Sequence, residues 1–381
     1  MLWKVAHHNM LYLDHCASTP CDARIIASMS EVLQQHHANS SSVHAWGWKA
    51  KEVVEEARIA LAQLLNVRPK TLTFTSGATE ANHLALLGIA QLYPQCHFIT
   101  QATEHKAILD PLAQLIQKGH QVTVLPVDSN GLIELDALQQ AIQPNTRGIS
   151  IMHVNNELGV IQPIEKIAEI IRTWADPSCL FHVDAAQSVG KFPVDLTALD
   201  VDLCSIAGHK FYAPKGVGAL YMKHKALRRT AWQLPALFFG GGQERGLRPG
   251  TVATHQVHAL GMAAYLAHQE LQRGEAQEIA QVRDQLWQEI KTRWPNTQWN
   301  AEHAPKIAGI LNICCTPELL QYLLDCSEHI AFSRGAACQS HSQAPSYVLQ
   351  AIGLNAQEAF HSIRLCVGRG QTWNQIQSAL F

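Results

Sequence analysis

The sequence has almost no excess of either charge. Its 381 residues include 29 lysines and arginines against 31 aspartates and glutamates. A chain this balanced carries no broad charged face, so neither nucleic acid nor an anionic membrane is expected as a direct partner. It also has no apolar run long enough to span a bilayer, and residues 1–10 contain no apolar signal segment. These absences predict a soluble, cytoplasmic protein that acts on small molecules or on other proteins.

The Cys-x-x-Cys motif is also missing. Ten cysteines are scattered along the chain without a Cys-x-x-Cys pair, which argues against a disulfide framework and favours the reduced cytosol. The 21 histidines are equally dispersed, and the neighbouring His36 and His37 have no partner at a ligand spacing. We therefore expect surface and core roles for the histidines and no bound metal.

The most informative segment is residues 203–220, where Lys210 follows an apolar, strand-like run and precedes a glycine-rich turn. A lysine on a solvated helix face needs no glycines around it. Gly208, Gly216 and Gly218 instead allow the backbone to close on a bulky group beside the amine. We therefore interpret Lys210 as a lysine that forms a Schiff base with pyridoxal phosphate.

Hydrophobic patterning predicts the fold around this lysine. Between residues 71 and 220, short apolar or β-branched runs alternate with amphipathic stretches, which is the pattern of βαβ units in a largely parallel sheet. In the clearest unit, strands at 148–154 and 179–183 flank a helix with Pro163 in its first turn. One face of this helix is expected to hold Ile164, Ile167, Ile171 and Trp174.

The character of the chain changes beyond about Thr254. Residues 257–294 are predicted to be a long helical stretch, followed by mixed elements of a smaller α+β domain. The expected elements are strand 307–313, helix 317–326, strand 330–333, helix 346–352 and strand 363–367. The chain is long enough for two domains, which we place at residues 20–255 and 256–381, joined by an N-terminal segment of residues 1–19.

Two segments place polar groups where a cofactor could bind. Residues 74–80 have the pattern of a strand, a glycine turn and a helix start, whose N–H groups and Thr79 hydroxyl suit a phosphate. An ordinary capped helix also explains this segment. Asp184 ends a predicted strand at the sheet edge where ligands usually bind, and it could hold a pyridinium nitrogen protonated. A helix N-cap is the alternative for this aspartate.

Four further residues have both a functional and a structural interpretation. His105 either stacks on a cofactor ring and moves protons or is a partly buried loop histidine. Asn155 and Asn156 follow a buried strand, so their amides either bind a ligand or organise a turn. Arg364 lies within an apolar strand, where it requires a carboxylate partner from the protein or from a substrate.

Cys338 differs from most of the other cysteines, which lie in apolar runs and are expected in the core. It lies in a loop of small and polar residues, 333–347, with Arg334 nearby in sequence to favour the thiolate. It is either a reactive cysteine or an incidental exposed thiol.

Together these segments resemble the cysteine desulfurases of the NifS/IscS type, within aminotransferase class V and the fold type I pyridoxal phosphate enzymes. The resemblance runs from residue 12 to about residue 370 and rests on six blocks in the family's order. The blocks are residues 75–80, 103–109, 152–159, 182–190, 208–218 and 240–251. The resemblance implies an α/β fold with a mostly parallel seven-stranded sheet in the large domain.

The resemblance also implies a role for each matching residue around the cofactor ring. Lys210 would hold pyridoxal 5'-phosphate, with Asp184 on the pyridinium nitrogen and Gln187 on the ring hydroxyl. His105 would stack on the ring as a catalytic residue.

Further residues are implied for the phosphate and for the substrate. The implied phosphate contacts are Ala78, Thr79, His209 and, from the second subunit of a homodimer, Thr251. Asn156 would bind both the cofactor and the substrate carboxylate, which Arg364 would also hold.

Cys338 matches the family's catalytic cysteine. In the implied reaction, free L-cysteine displaces Lys210 from the cofactor, the released lysine moves the α-proton, and Cys338 takes the sulfur as a persulfide, leaving L-alanine. An acceptor protein of an iron–sulfur cluster, tRNA thiolation or DNA phosphorothioation pathway would receive the sulfur. The alternatives are a selenocysteine lyase, another class V lyase or aminotransferase, and a non-catalytic scaffold on the same fold.

Several positions depart from the family's pattern. Ala207 stands where many members have a serine before Gly-His-Lys, Pro249 replaces a serine, and Arg334 begins a cysteine-loop motif that usually starts with serine. We also expect the chain to lack the long tail by which housekeeping members bind an iron–sulfur scaffold. A short tail with a Ser-Arg-Gly-Ala-Ala-Cys loop also resembles desulfurases of DNA phosphorothioation systems.

Overall fold

The computed structural model describes residues 10–223, 234–334 and 344–381. Within these ranges the chain forms twelve strands and twelve α-helices. The strands are β1 (Leu11–Tyr12), β2 (Leu72–Thr75), β3 (His97–Gln101), β4 (Gln121–Leu125), β5 (Thr146–Ser150), β6 (Leu180–Asp184), β7 (Leu203–Ala207), β8 (Gly218–Met222), β9 (Gln298–Trp299), β10 (Ile310–Cys314), β11 (Ile330–Ala331) and β12 (Ser362–Cys366). The helices are α1 (Ala23–Gln35), α2 (Ala45–Leu64), α3 (Ala78–Leu92), α4 (Lys106–Gln117), α5 (Leu135–Ala141), α6 (Ile164–Trp174), α7 (Thr254–Arg273), α8 (Glu275–Arg293), α9 (Pro317–Asp325), α10 (Tyr347–Ala351), α11 (Ala356–His361) and α12 (Trp373–Leu380).

A seven-stranded sheet in the order β2-β8-β7-β6-β5-β3-β4 forms the centre of the described structure. Strands β4, β3, β5, β6 and β7 run parallel, whereas β8 pairs antiparallel with both β7 and β2. Every residue of β3, β6 and β7 is buried, as expected for strands covered on both faces. The prediction of a mostly parallel seven-stranded sheet is confirmed.

Helix α6 shows how the amphipathic stretches cover this sheet. Ile164, Ile167 and Ile171 are all buried in the large core. Trp174, expected on the same face, is in the same helix but is 58% exposed. Trp174 lies seven positions after Ile167 and so on nearly the same side of the helix, but it is the last residue of α6, and its position at the helix end leaves it exposed. Pro163 is the N-cap of α6 and does not lie in its first turn.

Gly274 divides the predicted helical stretch 257–294 into two helices. Its φ of +90° lies in the left-handed region, where glycine commonly ends a helix. Helix α7 ends there and packs on α1 and α2, whereas α8 packs on β10 and α12. The two helices therefore contribute to different hydrophobic clusters.

A three-stranded antiparallel sheet, β12-β10-β9, lies in the C-terminal part of the chain, and β1 pairs in parallel with β11. Residues 307–309 are predicted as strand but lie before β10. The Ile307 N–H donates to the Gly159 oxygen and takes no part in the pairing of β10 with β12. Helices α9 and α10 match the predicted helices to within one residue at each end. The division into domains at residue 255 stays a prediction. Among the helices of the described ranges, none combines the length and apolarity needed to cross a bilayer.

Candidate active site

A cavity of about 370 Å³ opens at the carboxyl ends of β2, β6 and β7, beside the start of α3. Because parallel strands end on the same edge of a sheet, residues far apart in sequence converge there. The residues predicted from sequence that line it are Ala78, Thr79, His105, Asn156, Asp184, Gln187, His209, Lys210 and Arg364.

Lys210 ends a short 3-10 turn, Gly208–Lys210, that follows β7 directly. Its Nζ donates to the main-chain oxygens of Cys16, at 2.6 Å, and Ala17, at 3.0 Å. The Nε2 of Gln187 donates to the same Cys16 oxygen at 2.9 Å. The lysine amine is thus anchored to the N-terminal segment at the cavity wall.

Gly218 allows the backbone to pack closely at this site. A Cβ at this position would lie 2.3 Å from the Ile206 oxygen and 2.7 Å from the Gly77 Cα. Both neighbours are main-chain atoms, which cannot move aside as a flexible side chain can. The start of β8 can therefore approach the turn before α3 only because residue 218 has no side chain.

Asp184 lines the cavity, where its functional interpretation requires it, and it caps a turn and not a helix. It ends β6 on the cavity wall, and its Oδ1 accepts from the Ala186 N–H at 2.9 Å, as a turn-capping aspartate does. Its Oδ2 accepts from Asn82 Nδ2 at 2.8 Å. Two donors therefore hold a 5% exposed carboxylate on the cavity wall, where it would be a suitable partner for a protonated ring nitrogen.

The start of α3 is suited to bind an anion. Its N-cap is Gly77, which has no side chain to cap the first turn, and Ala78 and Thr79 line the cavity. The Glu80 carboxylate accepts from the Ser76 N–H at 2.6 Å, outside the helix. The N–H groups of the first helical turn have no partner within a helix, so they are donors for a phosphate.

His209 adds a neutral side chain beside several cations. Burial, followed by the charges of Lys210, Lys215 and Lys191, lowers the pKa of His209 to about 4. The ring is therefore uncharged near neutral pH, and it lies 3.3 Å from the Ser18 hydroxyl. Lys215 lines the cavity together with His209, so the positive charge there favours an anionic ligand.

His105 is both a structural cap and a cavity residue. Its Nδ1 accepts from the Ala107 N–H at 3.0 Å at the N-terminus of α4, and the residue lines the cavity. The adjacent Glu104 accepts from the Met152 N–H at 2.5 Å. Burial, and then the charge of Asp184, raises the pKa of Glu104 well above its usual value. Because Nδ1 of His105 accepts the hydrogen bond from Ala107, a neutral His105 ring carries its hydrogen on Nε2.

Arg364 is buried, with 1% of its surface exposed, and has the carboxylate partner that the sequence required. Its Nη2 donates to Asp14 Oδ1 at 2.7 Å and its Nη1 to the Asn156 main-chain oxygen at 2.7 Å. Within the described residues, Arg364 Nε and Asn156 Oδ1 are buried without a hydrogen-bond partner. Buried polar atoms normally have partners, so these two indicate a bound polar group.

Comparison with known proteins is decisive for the family. Residues 11–378 match the family described as aminotransferase class-V. The chain belongs to the class-V aminotransferase family. A curated relative of this class-V chain, cysteine desulfurase IscS from Shewanella sp. (strain MR-4), is 43% identical over 375 residues, spanning 97% of this chain and 91% of the relative.

Two solved structures are similar over nearly the whole chain. One, described as a NifS-like protein, has a TM-score of 0.86 at 31% identity and covers 97% of both chains. The other, described as SspA in complex with cysteine, has a TM-score of 0.82 at 34% identity, covering 94% of this chain and 98% of that one.

The cofactor of this class-V protein is pyridoxal phosphate, and the cavity residues fit it. Lys210 would supply an amine for the aldehyde, and Asp184 would supply a fixed carboxylate for the ring nitrogen. The start of α3 supplies donors for the phosphate, with Thr79 on the cavity wall. An amine, a carboxylate and an anion site thus line one cavity of suitable size.

Sequence reasoning missed two residues that support these groups. Asn82, which holds Asp184, lies three positions after Thr79 and therefore on the same side of α3. That spacing is a signal that could have indicated it. Cys16, whose oxygen holds Lys210, comes from the N-terminal segment and carries no such local signal.

One predicted residue of the described chain does not line the cavity, and another lies outside the described residues. Thr251 is exposed and is not among the described lining residues; the prediction places it at the site of a second subunit. Cys338 lies outside the described residues. Arg334, expected to favour its thiolate, lies 4.5 Å over the Phe360 ring, while Ala207, a departure from the family's pattern, lines the cavity.

Proposed function

We propose that this class-V aminotransferase family member is a cysteine desulfurase that converts L-cysteine to L-alanine and captures the sulfur on Cys338 as a persulfide. The carrying observation is that Lys210 shares one cavity with Arg364, whose Nε is a buried donor without a hydrogen-bond partner in the described structure. The guanidinium of Arg364 is therefore suited to bind a substrate carboxylate beside the amine. Similarity to a relative described as a cysteine desulfurase and to a structure in complex with cysteine supports L-cysteine as the substrate.

Pyridoxal phosphate supplies the electron sink for the α-carbon of the amino acid. Asp184 would hold the ring nitrogen protonated, because an adjacent carboxylate favours the charged form. Arg364 would orient the substrate carboxylate through charge-assisted hydrogen bonds. Lys210 would move the α-proton, and the oxygens of Cys16 and Ala17 give its amine a fixed resting position.

Cys338 would carry out the sulfur transfer. Its thiolate attacks the sulfur of L-cysteine, and a sulfur–sulfur bond forms as the carbon–sulfur bond breaks. The electron pair of the broken bond stays with the carbon skeleton, which takes up a proton and leaves as alanine. The outer sulfur of the persulfide on Cys338 can then be transferred to an acceptor thiol.

Replacing Cys338 tests this assignment. We expect Cys338→Ser to retain cofactor absorption but to lose alanine and sulfide production by a factor on the order of a hundred or more. Cys326→Ser is the matched control, because Cys326 is a partly exposed thiol outside the cavity lining. Undiminished turnover in Cys338→Ser would remove this residue from the mechanism.

The proposal includes a homodimer, in which Thr251 reaches the phosphate of the neighbouring subunit. It also includes an acceptor protein from an iron–sulfur cluster, tRNA thiolation or DNA phosphorothioation pathway. A cytoplasmic setting is part of the proposal because all nine cysteines of the described ranges are free thiols. Incubating the persulfide form with purified candidate acceptors, followed by mass measurement of the acceptor, would identify the pathway.

A further inference from the structure

The cavity wall contains a thiol group, that of Cys16, which the proposed reaction does not use. Cys16 lines the cavity and is 3% exposed, and Cys366 behind it is fully buried. Both cysteines belong to one small apolar cluster with Val154, Ile307 and Ile310. They lie close enough for each thiol to shift the pKa of the other, so they form a buried pair of thiols that extends to the cavity surface.

The backbone holds this pair together. Asp14 forms a parallel bridge with Cys366, and the Cys366 N–H donates to the Leu13 oxygen at 2.7 Å. The Ala17 N–H donates to the Asp14 oxygen at 3.0 Å, which folds residues 14–17 into a turn beside β12. The thiols therefore meet because two backbone segments are joined, and not through a chance side-chain contact.

The pKa values of the two thiols shift in opposite directions. Burial raises the pKa of Cys16, but a hydrogen bond with the Cys366 thiol and nearby cations outweigh burial and lower the pKa to about 6. The cations are Lys191, Arg364 and Lys210. Burial raises the pKa of Cys366 well above its usual value. A thiolate on the cavity wall beside a protonated thiol is the combination that favours oxidation at the thiolate.

The same turn holds the groups of the proposed active site. The Cys16 oxygen accepts from Lys210 Nζ at 2.6 Å and from Gln187 Nε2 at 2.9 Å. Arg364 precedes Cys366 by two residues on β12 and binds Asp14 at 2.7 Å. Any movement of Cys16 toward Cys366 would therefore shift the acceptor of Lys210 and disturb the Arg364 site.

We propose that Cys16 and Cys366 form a reversible oxidation site that hydrogen peroxide closes to a disulfide, weakening substrate binding. The Cys16 thiolate attacks one peroxide oxygen, giving a sulfenic acid and hydroxide, which takes up a proton to become water. The Cys366 thiol then attacks the oxidised sulfur, forming the disulfide and releasing a second water. A disulfide bond is only about 2.05 Å long, shorter than a hydrogen-bonded sulfur contact, so closure displaces the turn at residues 14–17.

The first test measures the bond itself, in a Cys338→Ser holoenzyme so that the proposed catalytic cysteine cannot react. After treatment with hydrogen peroxide, peptide mass spectrometry should show the Cys16 and Cys366 peptides joined with the loss of two hydrogens. Dithiothreitol should separate them. Adding Cys366→Ser should abolish the link, whereas adding Cys179→Ser, at a buried cysteine of the large core, should leave it intact. If Cys366→Ser does not fold, Cys366→Ala makes the same comparison.

The second test measures whether the disulfide weakens the binding of L-cysteine, a consequence that rests on the proposed function. The readout is the change in cofactor absorption when L-cysteine is added. Oxidised Cys338→Ser protein should need at least fivefold more L-cysteine for the half-maximal change, and the Cys366→Ser double variant should show no shift. Absence of the peptide link, or a link that leaves the titration unchanged, would overturn the proposal. A protein whose absorption never responds to L-cysteine would contradict the proposed function instead, while the mass measurement still decides whether the oxidation site exists.

Discussion

Arg364 illustrates, at the scale of a single residue, how a buried charge can serve a substrate. Asp14 balances the guanidinium on one side, and the Asn156 oxygen accepts a second hydrogen bond. The Nε atom remains buried without a partner in the described residues. A guanidinium already paired and desolvated can bind a carboxylate without being taken out of water again.

We expect Arg364→Gln to raise the KM for L-cysteine about tenfold to a hundredfold, because a hydrogen bond to a charged group is lost. Its urea midpoint should also fall, since Asp14 loses its cation. Steady-state kinetics and urea unfolding would measure both effects. Arg172→Gln, in a partly exposed pair with Asp200, is the matched control and should change KM less than about twofold. An unchanged KM in folded Arg364→Gln protein would contradict the assignment.

At the scale of elements, the site depends on how closely β8 approaches the turn before α3. Gly218→Ala would place a Cβ against main-chain oxygen and carbon atoms. We expect it to destabilise the fold by about 1–3 kcal/mol and to lower the fraction of protein that retains cofactor. Urea unfolding and the cofactor absorption of the purified protein would measure this. The control is Gly241→Ala, whose new Cβ would meet the end of the flexible Gln243 side chain. Equal stability of the two variants would disprove the packing argument.

A buried histidine in the middle of the large sheet should make the stability of the protein depend on pH. His182 lies between Ser150 on β5 and Ser205 on β7, with a hydroxyl 2.9 Å from each ring nitrogen. Burial lowers the pKa of His182 to about 4, although the charge of Asp184 opposes the shift. Between pH 6.5 and about 4 the unfolded chain therefore binds a proton that the folded protein excludes. The contribution of the neutral ring to the free energy of unfolding is complete above pH 6.5 and is lost as the pH falls toward 4.

We expect the free energy of unfolding to decrease on acidification by up to about 1.4 kcal/mol per pH unit from this histidine. Urea unfolding at about pH 7, 6 and 5 should show a shallower decrease for His182→Gln than for the natural protein. His268→Gln, on the exposed side of α7, should leave the slope unchanged. The interpretation fails if His182→Gln and the natural protein have parallel pH profiles.

At the scale of the whole molecule, the proposed homodimer makes each site depend on two chains. Thr251 is exposed, in a segment that is fastened to its own subunit by Arg248, whose Nε lies 2.8 Å from Glu80 Oε1. A second pair, Arg58 with Glu244, is almost completely buried. The segment that carries Thr251 is therefore held firmly while Thr251 itself lies at the surface.

Mixed dimers test whether Thr251 acts across subunits. Lys210→Ala homodimers should have low turnover because the amine is lost. Thr251→Arg homodimers should have low turnover because the larger side chain obstructs the phosphate site. A dimer with one subunit of each kind has one site with both natural residues, so it should recover about half of the natural turnover per dimer. Differently tagged subunits, co-expressed and purified through both tags, would provide it. Confirmed mixed dimers without recovery would place Thr251 in the site of its own subunit or in none.

Much of the fold and of the site could be predicted because the signals are local. Alternation of apolar runs and amphipathic stretches indicated the parallel sheet, and helices α9 and α10 followed from their own periodicity. The pattern did not show that Trp174 would be exposed, and it did not locate the break at Gly274. Helical spacing says which residues share a face, but only the packed structure says where the neighbouring surface ends.

The sequence alone determined the lysine after β7, the aspartate ending β6 and the glycine turn before α3, because each follows a recognisable strand. Tertiary structure decided that Cys16 and Asp14 from the N-terminal segment meet Lys210 and Arg364. It also decided that Cys16 lies against Cys366. Contacts between such distant parts of a chain leave no periodic trace in the sequence, since they form only when separate elements pack together.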